Sequence, residues 1–116
     1  MTEISRVAGT HRMSMATIHN GTIYLAGQVA DDPSADIRVQ TQQVLDKIDS
    51  FLEEASSHKS KILSATIWLT DTKTFADMNA VWDAWVDPDN LPVRACVSSD
   101  LAVPGLSVEI MVIAAQ

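Results

Sequence analysis

An α+β fold is the expectation for this chain, and three features of its 116 residues predict it. An Asn-Gly dipeptide sits between two β-prone runs near the N-terminus. Two later segments carry apolar residues at helical spacing. The strand-like runs that separate and follow them end in the nearly all-apolar "SVEIMVIAA". The resulting order is hairpin, helix, strand, helix, strand, strand, the plan of a mixed β-sheet with two helices packed on one face. One domain over residues 1–116 is expected. The length suits a single small core, and there is no repeat, low-complexity segment or Pro/Gly/Ser-rich linker.

Each element has its own local reason. In "MATIHNGTIYLAGQV" the Asn20-Gly21 pair readily takes the positive φ angles of a type I′ turn, which predicts a hairpin. Gly27-Gln28 weakens the end of its second strand, where a glycine lets another chain or a ligand approach the backbone. From about Asp36 to Ala55, Val44, Ile48 and Leu52 recur four apart, and Leu45 and Phe51 widen the stripe. Gln42, Asp46, Lys47 and Glu53 fill the other side, as in an amphipathic helix with one buried face. "ILSATIWLT" is rich in β-branched and aromatic residues and reads as a strand. "DTKTFADMNAVWDAWV" then sets Phe75, Met78, Val81, Trp82 and Trp85 at helical spacings, with Thr74 and Asp77 placed as a capping box. Pro88 and Pro92 bracket a turn before the strands "VRACVSS" and "SVEIMVIAA". The last strand does not alternate polar with apolar, so both its faces call for burial. Two helices cover one face of a sheet, which leaves the second face to a homo-oligomeric partner.

Composition excludes several classes. No apolar run reaches the length of a membrane span. The N-terminus lacks the basic patch and apolar stretch of a secretory signal, and the single Cys96 forms no internal disulfide. Together these predict a cytoplasmic location without a membrane partner. A net charge of −7, with eight Lys and Arg scattered from Arg6 to Arg94, disfavours a nucleic-acid partner.

Two charges interrupt the apolar strands: Arg94 in "PVRACV" and Glu109 in "SVEIMVIAA". Such charges are unfavourable unless paired, hydrogen-bonded or facing a cleft. If the two strands are neighbours, guanidinium and carboxylate approach one pocket; a structural Arg–Glu pair is an equal alternative. Cys96 shares the parity of Arg94 and therefore its strand face. His11, His19 and His58 have no spacing that supplies Cys96 with a base, and they form no metal motif, so a pocket-lining cysteine outweighs a nucleophilic one. Trp82 and Trp85 follow the apolar stripe and read as core, and Asn79 lies beside that stripe. There is no phosphate-binding glycine loop, dinucleotide fingerprint or serine elbow.

The stretches "GTIYLAGQVADD" and "KILSATIWLTDTKTFADMNAVWDAWV", and above all "PVRACV…SVEIMVIAA", resemble the Rid family of reactive intermediate deaminases, also called the YjgF family. The resemblance runs from about Arg12 to the C-terminus. It implies a chorismate-mutase-like fold and a homotrimer with ligand clefts between adjacent subunits. It also implies hydrolysis of enamines and imines of the 2-aminoacrylate and 2-iminopropanoate type to 2-oxo acids and ammonia, without cofactor or metal. Residue by residue, Arg94 matches the arginine that grips the substrate carboxylate, and Glu109 the glutamate that positions or activates water. Cys96, Asn79, Gly27 and Ser14 match residues that line the cleft. Met13 stands where the family has a pocket tyrosine, and Ala26 where a serine is common, so two hydroxyls are missing. The expected function is an imine deaminase of metabolite damage control. The alternative is a non-catalytic trimeric binding protein for 2-oxo acids or similar small carboxylates. Cleavage of RNA, proposed for some members, ranks last because of the acidic charge.

Overall fold

The computed structural model describes residues 3–116. Its seven strands are β1 (Ser5–Val7), β2 (Ala16–His19), β3 (Thr22–Leu25), β4 (Gln28–Val29), β5 (Ile62–Leu69), β6 (Val93–Ser98) and β7 (Val108–Ala115). The helices are α1 (Ile37–Glu54) and α2 (Phe75–Trp85), and short 3-10 turns, Lys59–Lys61 and Thr72–Thr74, lead into β5 and α2. The strands form one sheet in the order β1-β2-β3-β7-β5-β6, with β4 also paired to β7. The sheet is mixed: β6 runs parallel to β5, and the other pairs are antiparallel.

The hairpin forms as expected. Asn20 and Gly21 have φ of 51° and 77°, the pair of positive values a type I′ turn needs, between the paired residues His19 and Thr22. Helix α1 is read correctly within a residue at each end. Asp36 is its N-cap, accepting a 2.9 Å bond from the Val39 amide. At the other end the Ser56 amide donates to the Glu53 carbonyl (3.0 Å) and the Ser57 amide to that of Leu52 (2.8 Å). Ser56 itself is left-handed at φ 60°, so the helix ends in a Schellman motif with serine in the usual glycine position.

The capping box expected at α2 does not form. Thr74 turns its hydroxyl back to the Asp71 carbonyl at 2.6 Å, because a 3-10 turn already occupies the approach to the helix. Asp77 instead ion-pairs with Arg38 of α1 at 2.8 Å, tying the two helices together. Strands β1 and β4 were not anticipated. They are three and two residues long, too short for a periodic signal.

Burial along β7 alternates strictly. Val108, Ile110, Val112 and Ala114 are buried against the helices, whereas Glu109, Met111, Ile113 and Ala115 point to the other face. Sequence polarity does not alternate, but packing within one chain does. Val44, Leu45, Ile48 and Leu52 of α1, with Met78, Trp82 and Trp85 of α2, close the core. No described helix covers the opposite sheet face, where Met111 is 37% and Tyr24 46% exposed.

Candidate functional site

The sheet divides the candidate residues into two groups. Arg94 and Cys96 stand level with Ala65 and Ile67 in the parallel β5–β6 ladder, so they share the helix-covered face. Arg94 is on the outermost strand. Glu109 stands level with Trp68, on the opposite face, and β5 lies between its strand and β6. The expectation that neighbouring strands bring guanidinium and carboxylate together is therefore wrong within one chain, as is an intrachain Arg94–Glu109 ion pair. Strand parity placed Arg94 with Cys96 correctly. It could not show that a third strand would insert between two strands that follow each other in sequence.

Around Arg94 the polar and aromatic contacts all come from α2. Its Nη1 donates to Asn79 Oδ1 at 2.8 Å, and its guanidinium carbon lies 5.3 Å from the Trp82 ring centroid and 5.9 Å from that of Phe75. Asn79 and Trp82 are three residues apart, hence neighbours on one helix face. Two depressions flank the arginine. One of about 300 Å³ is lined by Asn79, Trp82, Asp83, Val86, Leu91, Pro92 and Arg94 itself; the other, of about 190 Å³, is lined by Leu69, Phe75, Cys96 and Val97 among others. Among the described residues no carboxylate pairs with Arg94, although the chain holds 15 Asp and Glu. Burial pushes the Cys96 thiol above its ordinary value, with Arg94 opposing more weakly. The thiol is thus protonated at neutral pH, as suits a lining residue rather than a nucleophile.

The second group gathers at the other face. Val29 is the ladder partner of Glu109, and a Cβ at Gly27 would run into the Glu109 carboxylate. Gly27 leaves room for the Glu109 side chain in its present position. The Ala26 amide donates to the Met15 carbonyl at 2.8 Å, which draws the Met13–Met15 segment, with half-buried Ser14, alongside Ala26–Gly27. Met13 is exposed, and Glu109 has no hydrogen-bond or ion-pair partner among the described residues. A carboxylate and a guanidinium are therefore both left without an ion-pair partner among the described residues, on opposite faces of one sheet.

A further depression of about 440 Å³, between α1 and β4, includes neither Arg94 nor Glu109. Its Lys47 is already bound to the Asp31 carboxylate at 2.7 Å and the Val29 carbonyl at 2.8 Å. No group of three or more His, Cys, Asp or Glu that could hold a metal ion occurs among the described residues, and no described helix is long and apolar enough to cross a membrane. The aromatic support of Arg94 was missed in the sequence because Trp82 and Phe75 fit the apolar stripe of α2. The 15-residue separation of Asn79 from Arg94 gave no cue to their contact.

Comparison with known proteins bears on the family and the fold. The family model described as Endoribonuclease L-PSP matches residues 3–116. A RutC family protein of Haemophilus ducreyi is 46% identical over 112 residues, covering 97% of this chain and 96% of its own. The RutC family protein YoaB of Escherichia coli is 45% identical, covering 97% of each. Among solved structures, a member of the YjgF protein family from Neisseria meningitidis superposes with a TM-score of 0.95 at 41% identity, over 99% of this chain and 96% of that one. An uncharacterized protein from Pseudomonas aeruginosa gives the same TM-score at 39% identity, over 98% and 99%.

Proposed function

The chain belongs to the Endoribonuclease L-PSP family, the Rid or YjgF family that its closing Arg94–Glu109 pattern resembles, and from that premise we propose that it is an imine deaminase acting on 2-imino acids at clefts between the subunits of a homotrimer. The observation that carries this reading is the guanidinium of Arg94, held by Asn79 but paired with no described carboxylate in a chain of net charge −7. An arginine left open in this way suits the carboxylate of a small metabolite, to which its planar fork donates two parallel hydrogen bonds.

Glu109 supplies the second half of the chemistry. It lies on the other sheet face, so only a second copy, docked by that uncovered face, brings a Glu109 to an Arg94. Arg94 and Cys96 would come from one subunit, and Glu109, Gly27 and Ser14 from its neighbour. With the substrate carboxylate on Arg94, Glu109 takes a proton from a water as its oxygen bonds to the iminium carbon. The tetrahedral adduct then receives that proton on nitrogen, and as the C–N bond breaks and the C=O bond forms Glu109 takes the hydroxyl proton and passes it to the departing ammonia, so that ammonium and a 2-oxo acid leave. An enamine first becomes the imine by protonation on carbon. The half-buried, protonated Cys96 would line this cleft.

The test is the rate of 2-oxo acid formation from imines generated in situ from several amino acids. Wild-type protein should exceed spontaneous hydrolysis. Arg94→Ala should lose activity and pyruvate binding together. Glu109→Gln should keep pyruvate affinity while kcat falls about 10²–10⁴-fold, the span of a general base. A wild type without acceleration on any imine would leave a binding protein for 2-oxo acids, the alternative that Met13 and Ala26 favour by removing two hydroxyls from the cleft.

A further inference from the structure

We propose that Trp82 and Phe75 are positioning residues: they form an aromatic shelf that, with Asn79, holds the Arg94 guanidinium edge-on to an incoming carboxylate. The inference rests on the reading of Arg94 as a carboxylate anchor. An arginine on an edge strand, with an exposed side chain, ordinarily samples many rotamers, and fixing it on binding costs entropy that weakens affinity. Here three contacts act on one guanidinium. The Trp82 and Phe75 ring centroids lie 5.3 and 5.9 Å from its central carbon, inside the range of a cation–π attraction. Asn79 Oδ1 takes one Nη1 hydrogen at 2.8 Å. Asn79 has spent only one of five donors, so enough remain on the other edges for a bidentate carboxylate. The rings engage through the delocalised charge and consume no donor at all.

Core packing accounts for the place of Trp82 but not for that of Phe75. Phe75 is 44% exposed at the first turn of α2, an expensive place for a large apolar ring that only fills core. Trp82 is 5% exposed and packs on Trp85 with ring centroids 5.4 Å apart, so it is held rigidly from behind while a ring face meets Arg94. A leucine at either position would fill much of the volume but offer the cation no π face.

The experiment uses the assembled full-length protein and five variants: Phe75→Leu, Trp82→Leu, Trp82→Phe, Arg94→Lys and the Arg94→Lys, Phe75→Leu double. Phe75→Leu and Trp82→Leu should raise the Kd of pyruvate, and the KM of any imine hydrolysed, by roughly 3- to 30-fold, the range that loss of a cation–π contact supports. The loss should fall on KM rather than kcat, because the carboxylate is gripped alike before and in the transition state. Trp82→Phe, which restores a ring face, should recover most of the affinity. In the Arg94→Lys background the Phe75→Leu change should have a smaller effect, since the two act through one contact. Phe75 is partly exposed, so its variant remains informative even if Trp82→Leu fails to fold. A folded Phe75→Leu with wild-type Kd and no coupling to Arg94, or a folded Trp82→Leu with wild-type Kd, would overturn the shelf. If wild-type protein binds no 2-oxo acid, the proposed function fails by itself. The shelf is then judged by the Arg94 side-chain N–H proton resonance: ring currents should shift it in the wild type and Phe75→Leu should move it, and an unshifted, variant-insensitive signal would overturn it.

Discussion

At the scale of single residues, the local environment sets the protonation and orientation of each reactive group. Cys96 shows this most directly. Its half-buried site disfavours a thiolate, and the nearby Arg94 cation compensates only in part, so the net direction is upward from the ordinary thiol value. Below that raised value the thiol is neutral, and alkylation requires the thiolate. Iodoacetamide should therefore modify Cys96 more slowly than free cysteine at pH 8, with a rate that climbs only at higher pH. A rate at neutral pH above that of free cysteine would show an activated thiol and reopen a nucleophilic role. Arg94 illustrates the complementary case. The sequence pointed to it as a charge in an apolar strand, and to Cys96 as its companion by parity. Its real supports, Trp82 and Phe75, were hidden because an aromatic side chain in a helical stripe reads as core whether or not its other face meets a cation.

At the scale of elements, two polar residues in and after α1 were unpredictable from patterning yet carry structure. Gln40 is fully buried: its Nε2 donates to the carbonyls of Ala35 (3.0 Å) and Gly105 (2.9 Å), and its Oε1 accepts from the Ser107 amide (2.8 Å). It thereby clips the loop before β7 to the start of α1, 65 residues away in sequence from Gly105. Gln40→Leu keeps the approximate volume but leaves these groups unpaired, and chemical denaturation should show a loss of about 1–3 kcal/mol. Ser56 has the opposite sign. It holds φ at 60° to close the Schellman motif, a conformation that costs a side-chain-bearing residue about 1 kcal/mol, and Ser56→Gly should recover part of that as a higher melting temperature. The periodic elements were readable because burial repeats every 3.6 or two residues. The turn at Asn20-Gly21 was readable because the dipeptide has one favoured geometry. β1 and β4 escaped because two or three residues hold no period, and the expected capping box failed because Thr74 had a nearer acceptor in the Asp71 carbonyl. Strand order, which decides where Arg94 and Glu109 lie, follows from contacts distant in sequence and leaves little local trace.

At the scale of the whole molecule, the separation of Arg94 from Glu109 and the uncovered sheet face have a common physical origin. One face of the sheet carries the helices and Arg94, and the other carries Glu109 among partly exposed apolar residues such as Met111 and Tyr24. An apolar sheet face without a cover is a surface that association buries, and closed cyclic symmetry lets each copy offer one face and receive the next at the same contact. If the clefts form this way, two inactive variants should repair each other. Arg94→Ala retains Glu109, and Glu109→Gln retains Arg94. Unfolding, mixing in equal amounts and refolding should place both kinds in about three quarters of the trimers, each with one of its three clefts built from two unaltered half-sites. Imine hydrolysis should then return to about a quarter of the wild-type rate, while each variant refolded alone stays inactive. Light scattering on the same samples should report three chain masses. No recovery, from mixed assemblies confirmed by mass, would mean that Arg94 and Glu109 do not meet across a subunit boundary, and the deaminase mechanism built on their meeting would fall with it.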